Sequence, residues 1–221
     1  MLIHHLKQVL QPEQVDKLRE MAKTVRFVDG RVTNRRSRTK NNLQVPQDDP
    51  NCEEPGRIVR DALFRHPEFA QWAYPKRVAR PTLSRYEVGM YYGRHCDEAV
   101  FASQPPMRSD ASCTVFISEP EEYDGGDLVM HLGPERLKIK YAAGDAVLYP
   151  TDAVHEVTEV TRGARLVAIT WIQSYIQDAK DREIMGRYDS LVRKLLPEAD
   201  ADTQMDFEYV RTNLFRKWAD L

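Results

Sequence analysis

AAGDAVLYPTDAVHEVTEVTRGARLVAITWIQS, residues 142–174, is the stretch that decides the fold. It holds three runs, GDAVLYP, HEVTEVT and RLVAITWIQ, each rich in β-branched or aromatic residues and each set off by a turn. Runs this short and this closely spaced read as strands. Working back toward Val78, the same texture returns in RPTLSRYEVG, CTVFIS, GDLVMHL and LKIKYA. That makes about seven or eight strands within roughly a hundred residues, the signature of a sandwich or jelly roll.

The flanks read differently. Met1 to Leu6 is expected as a short strand, and Pro12 opens a helix to about Lys23, with Val15, Leu18, Met21 and Ala22 at helical spacing. The polar residues 29–51 carry one expected strand at Leu43–Val45, and Arg57 to Phe64 reads as a helix stopped by His66-Pro67. Beyond Gln173 the helical pattern returns, with a stripe at Leu191, Leu195 and Leu196 and a final helix from about Thr203 to Trp218. The expected fold is mainly β with flanking helices. Residues 1–77 form a strand and helix region packing on the barrel, 78–175 the jelly-roll core, and 176–221 a helical extension. That extension is expected to cover a barrel edge or to join subunits of a homo-oligomer.

Composition excludes several classes. A chain of 221 residues can bury a proper core, and a net charge of -2 with 30% charged residues gives no bias toward nucleic acid or an anionic membrane. No apolar run approaches the roughly 18 residues needed to span a bilayer. The start, MLIHHLKQVLQPEQ, lacks the features of a secretory signal, and Cys52, Cys96 and Cys113 suggest neither a disulfide framework nor a zinc knuckle. A cytoplasmic protein with reduced thiols is the expectation.

The chemistry sits in a few ordered residues. His95 and Asp97 flank Cys96, and i and i+2 of an extended segment point the same way, so both could reach one ion while Cys96 points away. Such a triplet alone is a weak signal. His155 follows an apolar strand that a jelly roll could return beside His95. Two imidazoles and a carboxylate on one face of a ferrous ion leave three positions for a chelating co-substrate and dioxygen. Arg165 opens the last strand, where a buried guanidinium needs an anionic partner such as a ligand carboxylate. His4, His5, His66 and His131 read as ordinary surface or hydrogen-bonded residues. Gly125-Gly126 reads as a hairpin turn.

RYEVGMYYGRHCDEAV (85–100), RSDASCTVFISEPEEYDGGDLVM (108–130) and the 142–174 stretch resemble the iron(II)- and 2-oxoglutarate-dependent dioxygenases of the prolyl 4-hydroxylase type. With FVDGRVT (27–33) and KNNLQV (40–45) added, nearly the whole chain resembles the bacterial PKHD-type hydroxylases. Cys96 departs from the small aliphatic residue expected between the ligands, and a thiol beside iron could oxidise. The resemblance implies a double-stranded β-helix with His95, Asp97 and His155 as metal ligands at its open end. It implies Arg165 as the anchor of the far carboxylate of 2-oxoglutarate, with Tyr86 adding a hydroxyl or else serving as a core residue. It further implies Fe(II), dioxygen and 2-oxoglutarate, with L-ascorbate (vitamin C) rescuing oxidised iron, and hydroxylation of an unactivated C–H bond with release of succinate and carbon dioxide. The substrate would be a prolyl or lysyl side chain of a protein, or a small metabolite.

Other residues stay open between two roles. Glu98–Met107 could be a lid or a plain loop, Arg108 and Asp110 could border the site or pair with each other, and Asn41 and Asn42 could line the substrate mouth or serve a turn. The basic run Arg31, Arg35, Arg36, Arg38 and Lys40 could meet an acidic substrate but more commonly is a solvated face. Two other classes compete. A non-enzymatic, cupin-like jelly roll could keep the histidines but has no need of Arg165, and a zinc hydrolase would lack an obvious general base.

Overall fold

The strand Arg165–Ser174 is the spine of the molecule, buried on both faces over its first half. A computed structural model of the chain describes residues 3–32, 38–46 and 49–220. The spine lies inside a large antiparallel sheet. On one side it pairs with Ala111–Phe116, then Ala146–Pro150, then His4–Leu6. On the other side come Thr82–Tyr86, Leu43–Gln44 and Val28–Asp29, while Pro75–Val78 pairs with the far end of the spine. A smaller antiparallel sheet runs in the order Glu135–Ile139, Leu128–Leu132, His155–Val157, Tyr91–His95, Lys40–Asn41.

Tyr86, Phe116, Tyr149 and Val167 of the large sheet meet Leu128, Met130, Val157 and Tyr92 of the small one, and this apolar layer joins the two. This is the mainly β, helix-flanked jelly roll that the strand pattern predicts. The outer face of the large sheet carries a second core, in which Leu83, Val115 and Leu148 pack with helix residues such as Leu18, Val59 and Leu63. Each fully buried leucine there contributes about 2 kcal/mol of transfer free energy.

The helices follow their local signals. Helix α1 (Pro12–Thr24) starts with proline at its first turn and buries Val15, Leu18 and Ala22. Helix α2 (Glu53–Arg65) begins earlier than the apolar spacing suggests, because a short turn at Pro50–Cys52, capped by the Asp49 side chain, feeds directly into it. Pro67 does end α2, but it also occupies the first turn of a further helix, α3 (Pro67–Ala73), where its missing N–H costs nothing. Helices α4 (Ala179–Leu195) and α5 (Ala201–Trp218) are capped by Asp178 and Asp200. The N-terminal strand is described as His4–Leu6; Met1 and Leu2 lie outside the described residues.

The chain end is tied back to the barrel. Asp220 accepts a hydrogen bond from Arg108 at 2.7 Å, and Arg108 also donates to Asp110 at 2.8 Å. So Arg108 and Asp110 pair with each other, beside rather than inside the site. Cys52 and Cys113 are buried free thiols, and Cys96 is exposed and free. Among the described residues, no helix is long and apolar enough to cross a membrane.

Candidate active site

A bulge aims the first histidine. Val157 stands opposite Tyr92 and His155 opposite His95, so the four residues 92–95 of one strand span the three residues 155–157 of the other. Tyr92 and His95 would otherwise face opposite ways; the extra residue turns both inward. Gly93 lies within this bulge, where a Cβ would come 2.8 Å from Cβ of Thr39. Tyr92 then stacks on His95, with ring centroids 3.5 Å apart and planes 12° from parallel.

His95, Asp97 and His155 come together. Nδ1 of His95 lies 2.8 Å from the carbonyl of Gly93, and Nδ1 of His155 lies 2.8 Å from that of Ala153. A carbonyl only accepts, so both Nδ1 atoms carry the proton and both Nε2 lone pairs are free to bind a cation. Asp97 Oδ1 is 3.8 Å from His95 Nε2, and Oδ2 is 3.9 Å from His155 Nε2. One donor atom from each residue lies within 4.8 Å of the others, near enough to share one ion. Burial, helped by nearby His155, pushes the His95 imidazole down to about 4, so it is neutral at pH 7. The strand stops at His95, and Asp97 lies just beyond it. Cys96 is turned out, its thiol 3.5 Å from the Asp152 carbonyl.

Arg165 is 2% exposed, and its Nε finds no hydrogen-bond partner. It is the Cα partner of Tyr86, and its guanidinium lies 5.1 Å from the centre of that ring. Burial pushes the Tyr86 phenol up, and the charge of Arg165 partly offsets this. Among the described residues no carboxylate forms an ion pair with Arg165. A buried, incompletely bonded guanidinium is costly, and a ligand carboxylate is the partner that its geometry suits. Gly125 and Gly126 do not form a hairpin turn. Gly125 belongs to a short strand paired with Val160–Arg162, and both residues have positive φ. A Cβ on Gly126 would come 3.1 Å from Arg165 Cδ, so this glycine lets the chain pass close over the Arg165 side chain, while Gly125 passes close to the Glu159 carbonyl.

All five side chains line one cleft of about 1060 Å³. Lys40, Asn42, Gln44, Phe101, Ile169 and Trp171 also line it. Lys40 is only 7% exposed, donates to Gln44 Oε1 at 2.9 Å and is pushed down to about 8 by burial, an effect that Asp97 and Asp29 oppose. So one member of the basic run is not a solvated residue. Arg31 does face solvent, paired with Asp29, and Arg35 and Arg36 lie outside the described residues. Asn41 instead donates to the Gly89 carbonyl. The arm after Asp97 folds as a small hairpin, Val100–Phe101 with Met107–Arg108. Arg77 holds it through the carbonyls of Pro105 and Pro106, and Phe101 packs on Trp171 at 4.8 Å. It is a docked wall of the cleft.

His4 stacks on Trp72, His5 binds Asp145, His66 meets the Lys7 carbonyl and His131 pairs with Glu156, all outside the His95-Asp97-His155 cluster. Sequence reasoning missed Tyr92 beneath His95 and Ser112, which donates to Asp97 Oδ2 at 2.6 Å, and left Lys40, which lines the cleft, open between a substrate contact and a solvated face. A signal existed for Ser112. In Ala111–Phe116, Ser112 and Thr114 alternate with apolar residues although the whole strand is buried, which marks a polar lining.

Known proteins agree with this geometry. Residues 81–173 match the family described as the 2OG-Fe(II) oxygenase superfamily. A PKHD-type hydroxylase of Sphingopyxis alaskensis is 40% identical over 214 residues, covering 96% of this chain and 98% of that protein. One from Gluconacetobacter diazotrophicus is 41% identical over 228 residues, covering all of both. Among solved structures, a prolyl hydroxylase from Trichoplax adhaerens, in complex with a hypoxia inducible factor peptide fragment, superposes with a TM-score of 0.60 at 14% identity. It covers 82% of this chain and 86% of that one. A Pseudomonas putida prolyl-4-hydroxylase gives 0.54 at 19% identity, over 77% and 92%. These last two speak for the fold alone. With the full-length relatives, the family match and a His-Asp-His cluster beside a buried arginine, the chain belongs to the PKHD-type hydroxylases, 2-oxoglutarate-dependent dioxygenases that use Fe(II).

Proposed function

We propose that His95, Asp97 and His155 hold the ferrous ion and that Arg165, with Tyr86 beside it, binds the far carboxylate of 2-oxoglutarate. The enzyme then hydroxylates an unactivated C–H bond of a prolyl or lysyl protein side chain, or of a small metabolite, placed in the cleft. The observation that carries this reading is the pairing of a converging His-Asp-His donor set with a buried Arg165 whose Nε is unpartnered, both lining the same cleft.

The donor set fits the ion. Two imidazoles and a carboxylate suit iron(II) and, on one face, leave room for a chelating co-substrate. When bound, iron with 2-oxoglutarate and dioxygen supplies the oxidant, the co-substrate leaving as succinate and carbon dioxide. The chain's own residues do the rest. The Gly93 and Ala153 carbonyls fix the imidazole tautomers, and Ser112 holds one oxygen of Asp97. Arg165 neutralises a carboxylate away from water, while Phe101 and Trp171 offer an apolar wall against which a substrate can lie. L-ascorbate would return to the ferrous state iron left oxidised by turnovers without substrate.

The exposed side chains of Leu191, Leu195, Met205 and Tyr209 on α4 and α5 support a second copy packing there, which light scattering would test. For the reaction, the test is an extract of proteins and metabolites incubated with the enzyme, 2-oxoglutarate and isotopically heavy dioxygen. A species gaining one heavy oxygen, absent with Asp97→Ala, is expected. Succinate formation with no such species under any extract would count against hydroxylation.

A further inference from the structure

Asp97 accepts its hydrogen bond from a chain of buried hydroxyls. Ser112 Oγ lies 2.6 Å from Asp97 Oδ2, Thr151 Oγ1 lies 3.2 Å from Ser112 Oγ, and Ser109 Oγ lies 2.9 Å from Thr151 Oγ1. The three residues are 2%, 4% and 8% exposed, in that order. Among the described residues, Ser112 is the one hydrogen-bond donor to Asp97.

The carboxylate sets the direction of the whole chain. An ionised Asp97 can only accept, so Ser112 gives it its single proton. Ser112 then has only lone pairs left for Thr151, so Thr151 must donate to it, and Ser109 must donate to Thr151. Each bond polarises the next toward Asp97. Three strands share the work. Ser112 is on Ala111–Phe116, Thr151 directly follows Ala146–Pro150, and Ser109 directly follows Met107–Arg108, the second strand of the cleft's arm. Ser109 is also tied to that arm through its backbone N–H, which donates to the Ala99 carbonyl at 2.8 Å.

We propose that Ser112, backed by Thr151 and Ser109, is a positioning residue that occupies Oδ2 of Asp97 and leaves Oδ1 as the single oxygen for the metal. This rests on Asp97 being a metal ligand, as proposed above. Its consequence is chemical. A carboxylate held through one oxygen cannot swing to grip the ion with both, which would take a position that the chelating co-substrate needs. The hydroxyl chain thus keeps the site open to 2-oxoglutarate as well as holding the ligand.

The test uses Mn(II), a redox-stable probe, titrated into the metal-free full chain and followed by loss of the free-ion EPR signal. Ser112→Ala should weaken Mn(II) binding about tenfold, the usual scale for an outer partner of a metal ligand, and Ser112→Thr should restore it. Thr151→Val, which keeps the shape and removes the bond to Ser112 while leaving the Ser112–Asp97 bond in place, should show a smaller loss in the same direction. On Mn(II)-saturated protein, Ser112→Ala should also bind 2-oxoglutarate more weakly than wild type, which a merely structural role would not produce. If Ser112→Ala does not fold, the Thr151→Val and Ser112→Thr results decide. Wild-type Mn(II) affinity in Ser112→Ala, or in Thr151→Val where that must decide, overturns the proposal. Equal binding by wild type and Asp97→Ala would instead overturn the ligand assignment on which it rests.

Discussion

His95 and His155 are Cα partners on neighbouring strands, their ring centroids 4.2 Å apart and each Nδ1 bound to the carbonyl two residues before it. Each ring is therefore held by its own backbone, and Asp97 by Ser112, before any ion arrives. His95→Ala, Asp97→Ala and His155→Ala should each abolish succinate formation while circular dichroism still reports a folded β protein. Near-normal turnover by Asp97→Ala would show that the triad is wrongly chosen.

The bulge that aims His95 makes Gly93 a sensitive position. Gly93→Ala puts a methyl 2.8 Å from Cβ of Thr39, across to the short edge strand. Overpacking of this kind costs about 1–3 kcal/mol, and the shift falls on the backbone two residues from the histidine. Turnover and the urea midpoint should both drop, and adding Thr39→Gly should recover much of each. A Gly93→Ala protein indistinguishable from wild type would mean that the edge strand yields freely.

Asp110 joins the barrel to the chain end. It is 9% exposed and accepts from Arg108 Nε and from the Ser174 N–H, both at 2.8 Å. Asp110→Ala leaves those donors unsatisfied and should cost about 3–5 kcal/mol in urea unfolding. Asp220→Ala removes the outer, solvated partner of Arg108 and should cost under about 1 kcal/mol. Similar losses for the two would rule out a buried network centred on Asp110.

Stability should fall in mild acid. Burial against Trp72 pushes His4 down from 6.5 to about 4, with Glu183 opposing and Arg187 assisting. Between those values the unfolded chain binds the proton and the folded chain does not, so unfolding becomes easier as pH drops from about 6.5 toward 4. Allowing for its partial solvent exposure, the effect is on the order of 1 kcal/mol. His95 acts in the same direction in metal-free protein. His4→Phe keeps a ring against Trp72 without the titration and should flatten the profile measured by urea unfolding at each pH. An unchanged slope would remove His4 as a cause.

The jelly roll was legible because its strands are short, β-branched and punctuated, and a period of two survives wherever one face is buried. The cluster was legible through the order of His95, Asp97, His155 and Arg165, but not through the spacing of His95 and Asp97. Spacing by two assumes a continuing strand, whereas the strand ends at His95 and a bulge upstream turns that ring inward. A bulge depends on the partner strand, which local sequence does not specify. Helix α3 was hidden because Pro67 both ends one helix and begins another. Lys40 passed for a solvated residue because only the pairing of its short strand with Tyr91–His95 buries it in the cleft wall. Gly125-Gly126 suggested a turn, whereas Gly125 allows close approach to the Glu159 carbonyl and Gly126 leaves space for Arg165, both far away in the chain.

The most direct measurement is an anaerobic titration of 2-oxoglutarate into the Fe(II)-loaded protein, followed by the weak visible charge-transfer band of the chelate. The wild type should develop the band. Arg165→Ala should need about ten- to a hundredfold more 2-oxoglutarate to do so, the scale of a lost charge-assisted pair, while binding iron as before. No band in the wild type, or the same 2-oxoglutarate dependence in Arg165→Ala, would contradict the account.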